Sequence, residues 1–177
     1  KDVQALQHIA KEQDHELKIL EAVELTNNRQ KKVLLEKIIT KFNGKLKGKR
    51  IAIWGLAFKP DTDDMREAPS RILIEGLWSH DATVTAYDPA AMEEARRVFG
   101  NDPRLQFADT AYSALENADA LVIVTEWKTF RSPDFSLIKS KLKQPIIFDG
   151  RNMYDPGSIR AEGIEYYPIG RNECLLP

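Results

Sequence analysis

From Arg50 onward the chain alternates short apolar runs with helical stretches, and this alternation constrains the fold more than any other feature. Ile51-Ala52-Ile53-Trp54 is apolar throughout and ends at Gly55, and Thr83-Val84-Thr85-Ala86-Tyr87 ends at Asp88-Pro89. Leu105-Gln106-Phe107, Ala120-Leu121-Val122-Ile123-Val124, Pro145-Ile146-Ile147-Phe148 and Ile164-Glu165-Tyr166-Tyr167 complete the series. Unbroken aliphatic and β-branched residues predict strands covered on both faces. Between the runs, Glu67 to Ser79, Ala90 to Phe99 and Ala111 to Glu116 read as helices. The pattern predicts an α/β fold, a doubly wound and mainly parallel Rossmann-like sheet. Ligands of such sheets bind beyond the carboxyl ends of the strands, where the strand order switches. That rule selects the loops after Trp54, Tyr87, Val124 and Phe148.

The segment ahead of the sheet has a different character. From Asp2 to about Phe42 there is no glycine or proline, and good helix formers dominate. Leu17, Leu20, Val23, Val33, Leu34, Ile38 and Phe42 fall mostly at helical spacing. A break near Gln13 to His15 predicts two helices, the second long, ended by Asn43-Gly44 in left-handed conformation. A helix with apolar residues on more than one side packs against a second chain or domain. Two units follow: residues 1–43 as a helical segment that pairs subunits, and residues 44–177 as the Rossmann-like domain. The lysine-rich stretch from Lys41 to Arg50 reads as a solvated linker.

Composition narrows the function classes. Lysine plus arginine total 26 against 27 aspartate plus glutamate, a net charge of -1, which argues against nucleic acid or an anionic membrane as partner. No apolar run approaches the roughly 20 residues that span a bilayer, and the start does not read as a signal peptide. The single cysteine, Cys174, excludes an internal disulfide and fits the reducing cytoplasm. His8, His15 and His80 lack metal-ligand spacing, so no metal is expected. The chain starts at Lys1 without a methionine, which reads as a piece of something longer.

The loop after the first strand, Gly55 to Glu67, stands where a phosphate loop would. It holds only one of the glycines of a G-x-G-x-x-G turn and is several residues too long. It offers Lys59 as a point charge and Arg66 as a planar fork, both suited to phosphate oxygens, with the flat face of Phe58 beside them. On spacing alone the loop is equally well a structural βα connection. Asp88 occupies the place of a ribose-binding acid, yet without a glycine fingerprint upstream it reads as a turn before Pro89. Trp54 reads as core, whereas Trp127 fits either the core or the border of a nucleotide pocket.

Gly55 to Ser70, GLAFKPDTDDMREAPS, resembles the signature of the UDP-glucose/GDP-mannose dehydrogenase family. Tyr87-Asp88-Pro89, Thr125-Glu126-Trp127 and Phe148-Asp149-Gly150-Arg151 resemble further stretches of that family in the same order. Lys1-Asp2 is similar to the end of its Cys-Phe-Pro-Lys-Asp catalytic segment. The resemblance covers essentially the whole chain and implies a UDP-sugar-binding domain. It implies that Phe58, Lys59 and Arg151 hold the UDP-sugar, that Arg66 and Lys1 reach NAD, and that Asp2 positions or activates the hydrolytic water. The implied reaction is a twofold oxidation of UDP-glucose to UDP-glucuronate with two NAD, through a cysteine thioester, feeding polysaccharide synthesis. The catalytic cysteine and the amino-terminal NAD-binding domain are expected outside this chain, which is then inactive alone; Cys174 is no substitute. The helical segment is expected to make a homodimer. Rival readings are a GDP-mannose or UDP-N-acetyl-amino-sugar 6-dehydrogenase, and a non-catalytic nucleotide-binding or dimerisation module.

Overall fold

The computed structural model of the chain describes residues 5, 6, 9, 10, 12, 13 and 15–175. Six strands form one all-parallel sheet: β1 (Arg50–Trp54), β2 (Thr83–Tyr87), β3 (Leu105–Phe107), β4 (Ala120–Ile123), β5 (Ile146–Asp149) and β6 (Glu165–Pro168). Their order is β3-β2-β1-β4-β5-β6, with β1 and β4 paired from Ile51↔Ala120 to Trp54↔Ile123. The chain winds outward in one direction from β1 and in the other from β4. The crevice between them is the switch point that the sequence indicated.

Burial explains the strand patterns. β4 and β5 are buried at every position, as central parallel strands must be. β2, one place from the edge, alternates buried and half-buried residues. Six strands lie within a residue or so of their expected bounds. The helices before and between them are α1 (Lys18–Gln30), α2 (Val33–Lys41), α3 (Pro69–Ser79), α4 (Met92–Phe99), α5 (Phe135–Lys141) and α6 (Pro156–Ala161). α3 opens with Pro69 at its first turn and buries Ser70, Leu73, Ile74 and Leu77, one face at i, i+3, i+4, i+7 spacing. The helix expected at Ala111 to Glu116 is a single 3-10 turn, Ser113–Leu115. α5 and α6, which periodicity did not reveal, are only seven and six residues long. Each starts at an aspartate whose carboxylate accepts a backbone N–H: Asp134 from Leu137 (2.9 Å) and Asp155 from Ser158 (2.8 Å).

The expected long second helix is in fact α1 and α2, divided at Lys31–Lys32. There the Lys32 N–H turns to the Arg29 carbonyl, three residues back, and the axis tightens. Asn43 (φ 51°) and Gly44 (φ 73°) end α2, with the Gly44 N–H on the Ile39 carbonyl at 2.9 Å. The two helices differ in what they bury. α2 sinks Leu34 and Ile38 into the core, whereas no residue of α1 is buried. The lysine-rich stretch is a solvated linker only in part. Lys45 and Lys47 are exposed, but Leu46 is fully buried and Lys49 pairs with the buried Asp119 at 2.9 Å.

Candidate functional site

The loop after β1 is held closed by its neighbours. Gly55 has φ 94°, and a Cβ there would lie 2.5 Å from Thr125 Cβ and 2.6 Å from Thr125 N, so only glycine permits this approach to the β4 loop. Thr125 Oγ1 donates to the Ala57 carbonyl and Ser70 Oγ to the Leu56 carbonyl, both at 2.6 Å. The Leu56 and Ala57 N–H groups, which would face a pyrophosphate in a dinucleotide cradle, donate instead to Asp88 Oδ2 at 2.6 and 3.1 Å. Asp88 is fully buried, and it also accepts from the Ala90 and Ala91 N–H groups and from Trp127 Nε1. Asp88 is therefore structural. Trp127 belongs to the core beside it, and Trp54 stacks on Phe130 with centroids 5.0 Å apart.

The β5 loop builds a second feature. Asp149 is wholly buried at the end of β5 and accepts from Arg151 N (2.8 Å), Met153 N (2.7 Å) and the Tyr166 hydroxyl (2.6 Å). This carboxylate, itself fixed by β6, shapes the turn that carries Arg151. Burial, together with the Asp149 carboxylate it bonds, pushes the Tyr166 phenol up, so it remains a donor. Gly150 gives room for α2: a Cβ there would be 2.5 Å from Leu34 Cδ1. The Arg151 guanidinium then spans the switch point. Its Nε donates to the Val124 carbonyl (2.9 Å) and Nη2 to the Phe58 carbonyl (3.1 Å), with Glu126 Oε2 at 2.8 Å from Nε. A guanidinium has five N–H donors; two are used, so three remain to meet a ligand.

Arg151 and Phe58 border a cavity of about 640 Å³, which lies between the carboxyl ends of the central strands and helix α1. Val124, Gly150, Ile169 and Leu34 supply its apolar lining. Of the residues singled out in the sequence, Phe58, Arg66 and Arg151 meet at this cavity. Lys59 is exposed and is not part of its lining, although it adjoins Phe58. Arg66 is exposed, and its fork is closed on Asp64: Nε to Oδ1 at 2.9 Å and Nη2 to Oδ2 at 2.8 Å. The hydrogen bond and charge of Asp64 raise the guanidinium above its ordinary value. Lys1 and Asp2 lie outside the described residues.

The far wall was not anticipated. Lys31 reaches from the junction of α1 and α2 to Glu67 (2.8 Å), and its ammonium holds that carboxyl below the usual range. Glu67 adopts φ 59°, and with Asp61 (φ 61°) it bends the loop back toward α3. Glu24, Asn27, Asn28 and, at its edge, Gln30 complete this wall with Lys31, the recurrent set being Glu24, Asn27, Asn28 and Lys31. The i, i+3, i+4, i+7 recurrence of these four polar residues was legible, but attention to apolar periodicity passes over it. Among the described residues no cluster of His, Cys, Asp and Glu could hold a metal ion, and no helix is long and apolar enough to cross a membrane. Cys174 is buried in a bridge to Tyr166, His15 is exposed, and half-buried His80 bonds the Gly76 carbonyl.

A family model described as "UDP-glucose/GDP-mannose dehydrogenase family, UDP binding domain" matches residues 52–156. The UDP-glucose 6-dehydrogenase of Pseudomonas aeruginosa is 46% identical over 174 residues, which take in 97% of this chain and 38% of that protein. Its counterpart from Rhizobium meliloti is 39% identical over 171 residues, again 97% of this chain and 38% of the relative. A solved UDP-glucose dehydrogenase from the archaeon Pyrobaculum islandicum aligns with TM-score 0.77 at 26% identity, over 94% of this chain and 35% of that one. The chain thus spans about 38% of the length of these curated relatives.

Proposed function

The chain belongs to the UDP-glucose/GDP-mannose dehydrogenase family, and on that premise we propose that it is the UDP-binding part of a UDP-glucose 6-dehydrogenase. The whole enzyme then oxidises UDP-glucose to UDP-glucuronate with NAD, in the cytoplasm. The observation that carries this reading is the Arg151 guanidinium, tied across the switch point at the rim of a cavity of nucleotide size. A group already held by two carbonyls loses little freedom when a diphosphate arrives. Phe58, half-exposed at the same rim, offers an apolar face to the nucleotide, and Lys59 beside it adds charge.

NAD, when bound, accepts hydride. The loop after β1 does not form a cradle for it: its single glycine is packed against Thr125, and the Leu56 and Ala57 N–H groups are consumed by Asp88. Arg66 and Lys1 are proposed to reach the diphosphate of an NAD held by another part of the enzyme, and Asp2 to position the hydrolytic water. Residues 1–43 are proposed as the subunit-pairing segment and 44–177 as the nucleotide domain. The outward apolar residues of α1, Ile19 and Leu25, support a second copy as the partner.

Calorimetric titration of the chain with UDP, UDP-glucose, GDP and NAD tests the reading. Heat with the uridine compounds and none with GDP or NAD is expected. Preference for GDP would move the chain to the GDP-mannose branch, and absence of any nucleotide binding would leave a purely structural role.

A further inference from the structure

Helix α1 differs from an ordinary surface helix in what it shows the cavity. Such a helix places its apolar stripe against the domain and its polar face in water. Here Ile19 and Leu25 are 80% and 67% exposed, and no residue of the helix is buried. The stripe that lines the cavity is instead Glu24, Asn27, Asn28 and Lys31, with both asparagines exposed, Gln30 at its edge and Leu20 half-buried on the same side. At 100° per residue Ile19, Ala22 and Leu25 fall on the opposite side. Lys31 is committed to Glu67, whereas the carboxamides of Asn27 and Asn28 are exposed and border the cavity. Across the cavity stand the cation and the aromatic face, Arg151 and Phe58. The two walls therefore differ in chemistry: one suits a diphosphate and a flat base, the other offers, beside the charged Glu24 and Lys31, carboxamides that both donate and accept.

We propose that the Asn27 and Asn28 carboxamides are specificity-determining residues that read the vicinal hydroxyls of a sugar bound in this cavity. The inference rests on the reading of the cavity as a nucleotide-sugar site. A carboxamide presents an NH2 and a carbonyl oxygen on one short side chain, which matches the paired donor and acceptor character of adjacent hydroxyls. Amides also add no charge of their own to a cavity whose lining already holds Glu24, Asp64 and Glu67. Vicinal hydroxyls occur both on the ribose of the nucleotide and on the hexose, and the ligand series separates the two.

The test titrates the parent chain, Asn27→Ala, Asn28→Ala and the double variant with 2′-deoxy-UDP, UDP and UDP-glucose. Alanine is the better helix former, so the substitutions leave α1 intact, and far-ultraviolet circular dichroism verifies it. Binding of 2′-deoxy-UDP should be unaltered. Loss of about tenfold in the preference for UDP-glucose over UDP, the usual effect of one missing hydrogen bond, assigns the wall to the hexose. An equal loss in the preference for UDP over 2′-deoxy-UDP assigns it to the ribose, and either result supports the proposal. Variants that keep both preferences, or that weaken all three ligands alike, overturn it. A parent chain that binds UDP without any preference overturns the inference but leaves the functional reading standing. A parent that binds none of the three removes that reading and the inference with it.

Discussion

Arg151 shows how much geometry one side chain can require. Its backbone N–H is held by Asp149, its Nε by Val124 and its Nη2 by Phe58, so three separate loops fix one guanidinium. Arg151→Ala is expected to weaken UDP binding by about 1.5–3 kcal/mol, the usual size of a lost charge-assisted hydrogen bond. Arg151→Lys keeps the charge but cannot span the Val124 and Phe58 carbonyls, so calorimetry should place it nearer to alanine than to the parent. At the other end of the sheet Asp119 is 4% exposed and accepts from Arg50 N and from the Lys49 and Lys143 ammonium groups. Burial pushes its carboxyl up, but the Arg50 N–H and Lys49 outweigh burial and hold it below the usual range. A depressed carboxyl contributes stability above its unfolded value of about 3.9, and that stability is lost as pH falls through the folded value. Urea unfolding of Asp119→Asn should therefore show a smaller loss of stability between about pH 5 and pH 3 than the parent. An identical acid limb in both proteins would remove Asp119 from this account.

Among the elements, the loops after β1, β2 and β4 behave as one unit because a buried carboxylate joins them. Asp88 Oδ2 takes Leu56 N, Ala57 N and Trp127 Nε1, and Oδ1 takes Ala90 N and Ala91 N. In Asp88→Asn the amide NH2 must face at least two backbone N–H donors whichever way it turns. Denaturant unfolding is expected to show a loss of about 3 kcal/mol, above the range for a neutral hydrogen bond because a charged acceptor disappears. A loss within about 0.5 kcal/mol would mean that the loops are held by packing alone. The short helices make a related point. α5 and α6 owe their starts to Asp134 and Asp155, signals visible in the sequence, but six or seven residues are too few for periodicity to declare a helix. The break at Lys31–Lys32 carries no proline or glycine. It coincides with the bridge from Lys31 to Glu67, a contact 36 residues away along the chain.

For the molecule as a whole, α1 and α2 divide the work ahead of the sheet. α2 is part of the domain core through Leu34 and Ile38, while α1 leaves Ile19 and Leu25 to water. Exposed aliphatic side chains on one helix face suit burial against a second copy of the chain. Sedimentation equilibrium is expected to give a dimer for the parent and a monomer for Ile19→Glu with Leu25→Glu, because a charge in the centre of an apolar interface is left unpaired. The same variant should unfold at an unchanged denaturant midpoint if measured as a monomer, since both side chains stand largely in water. Dimers that persist in the variant would shift the interface elsewhere.

The sequence by itself determined the parallel sheet. Six runs, four of them ended directly by glycine, proline or an acid, place strands within a residue or so of where they lie, because hydrophobic burial favours that arrangement. It also determined the left-handed stop at Asn43-Gly44, since local chemistry suffices for such a turn, while the family resemblance marked Phe58, Lys59 and Arg151 for the UDP-sugar and Arg66 for NAD. Only the tertiary structure decided which residues share a cavity and which are already occupied. Asp88 looks like a ribose acid and is saturated by five N–H donors; Arg66 looks free and is closed on Asp64. The polar wall of α1 likewise exists only because the helix lies along the cavity with Glu24, Asn27, Asn28 and Lys31 on that side. Partners of this kind lie many residues away, and the energy that chooses among them comes from desolvation and close packing in three dimensions, which no local stretch of sequence contains.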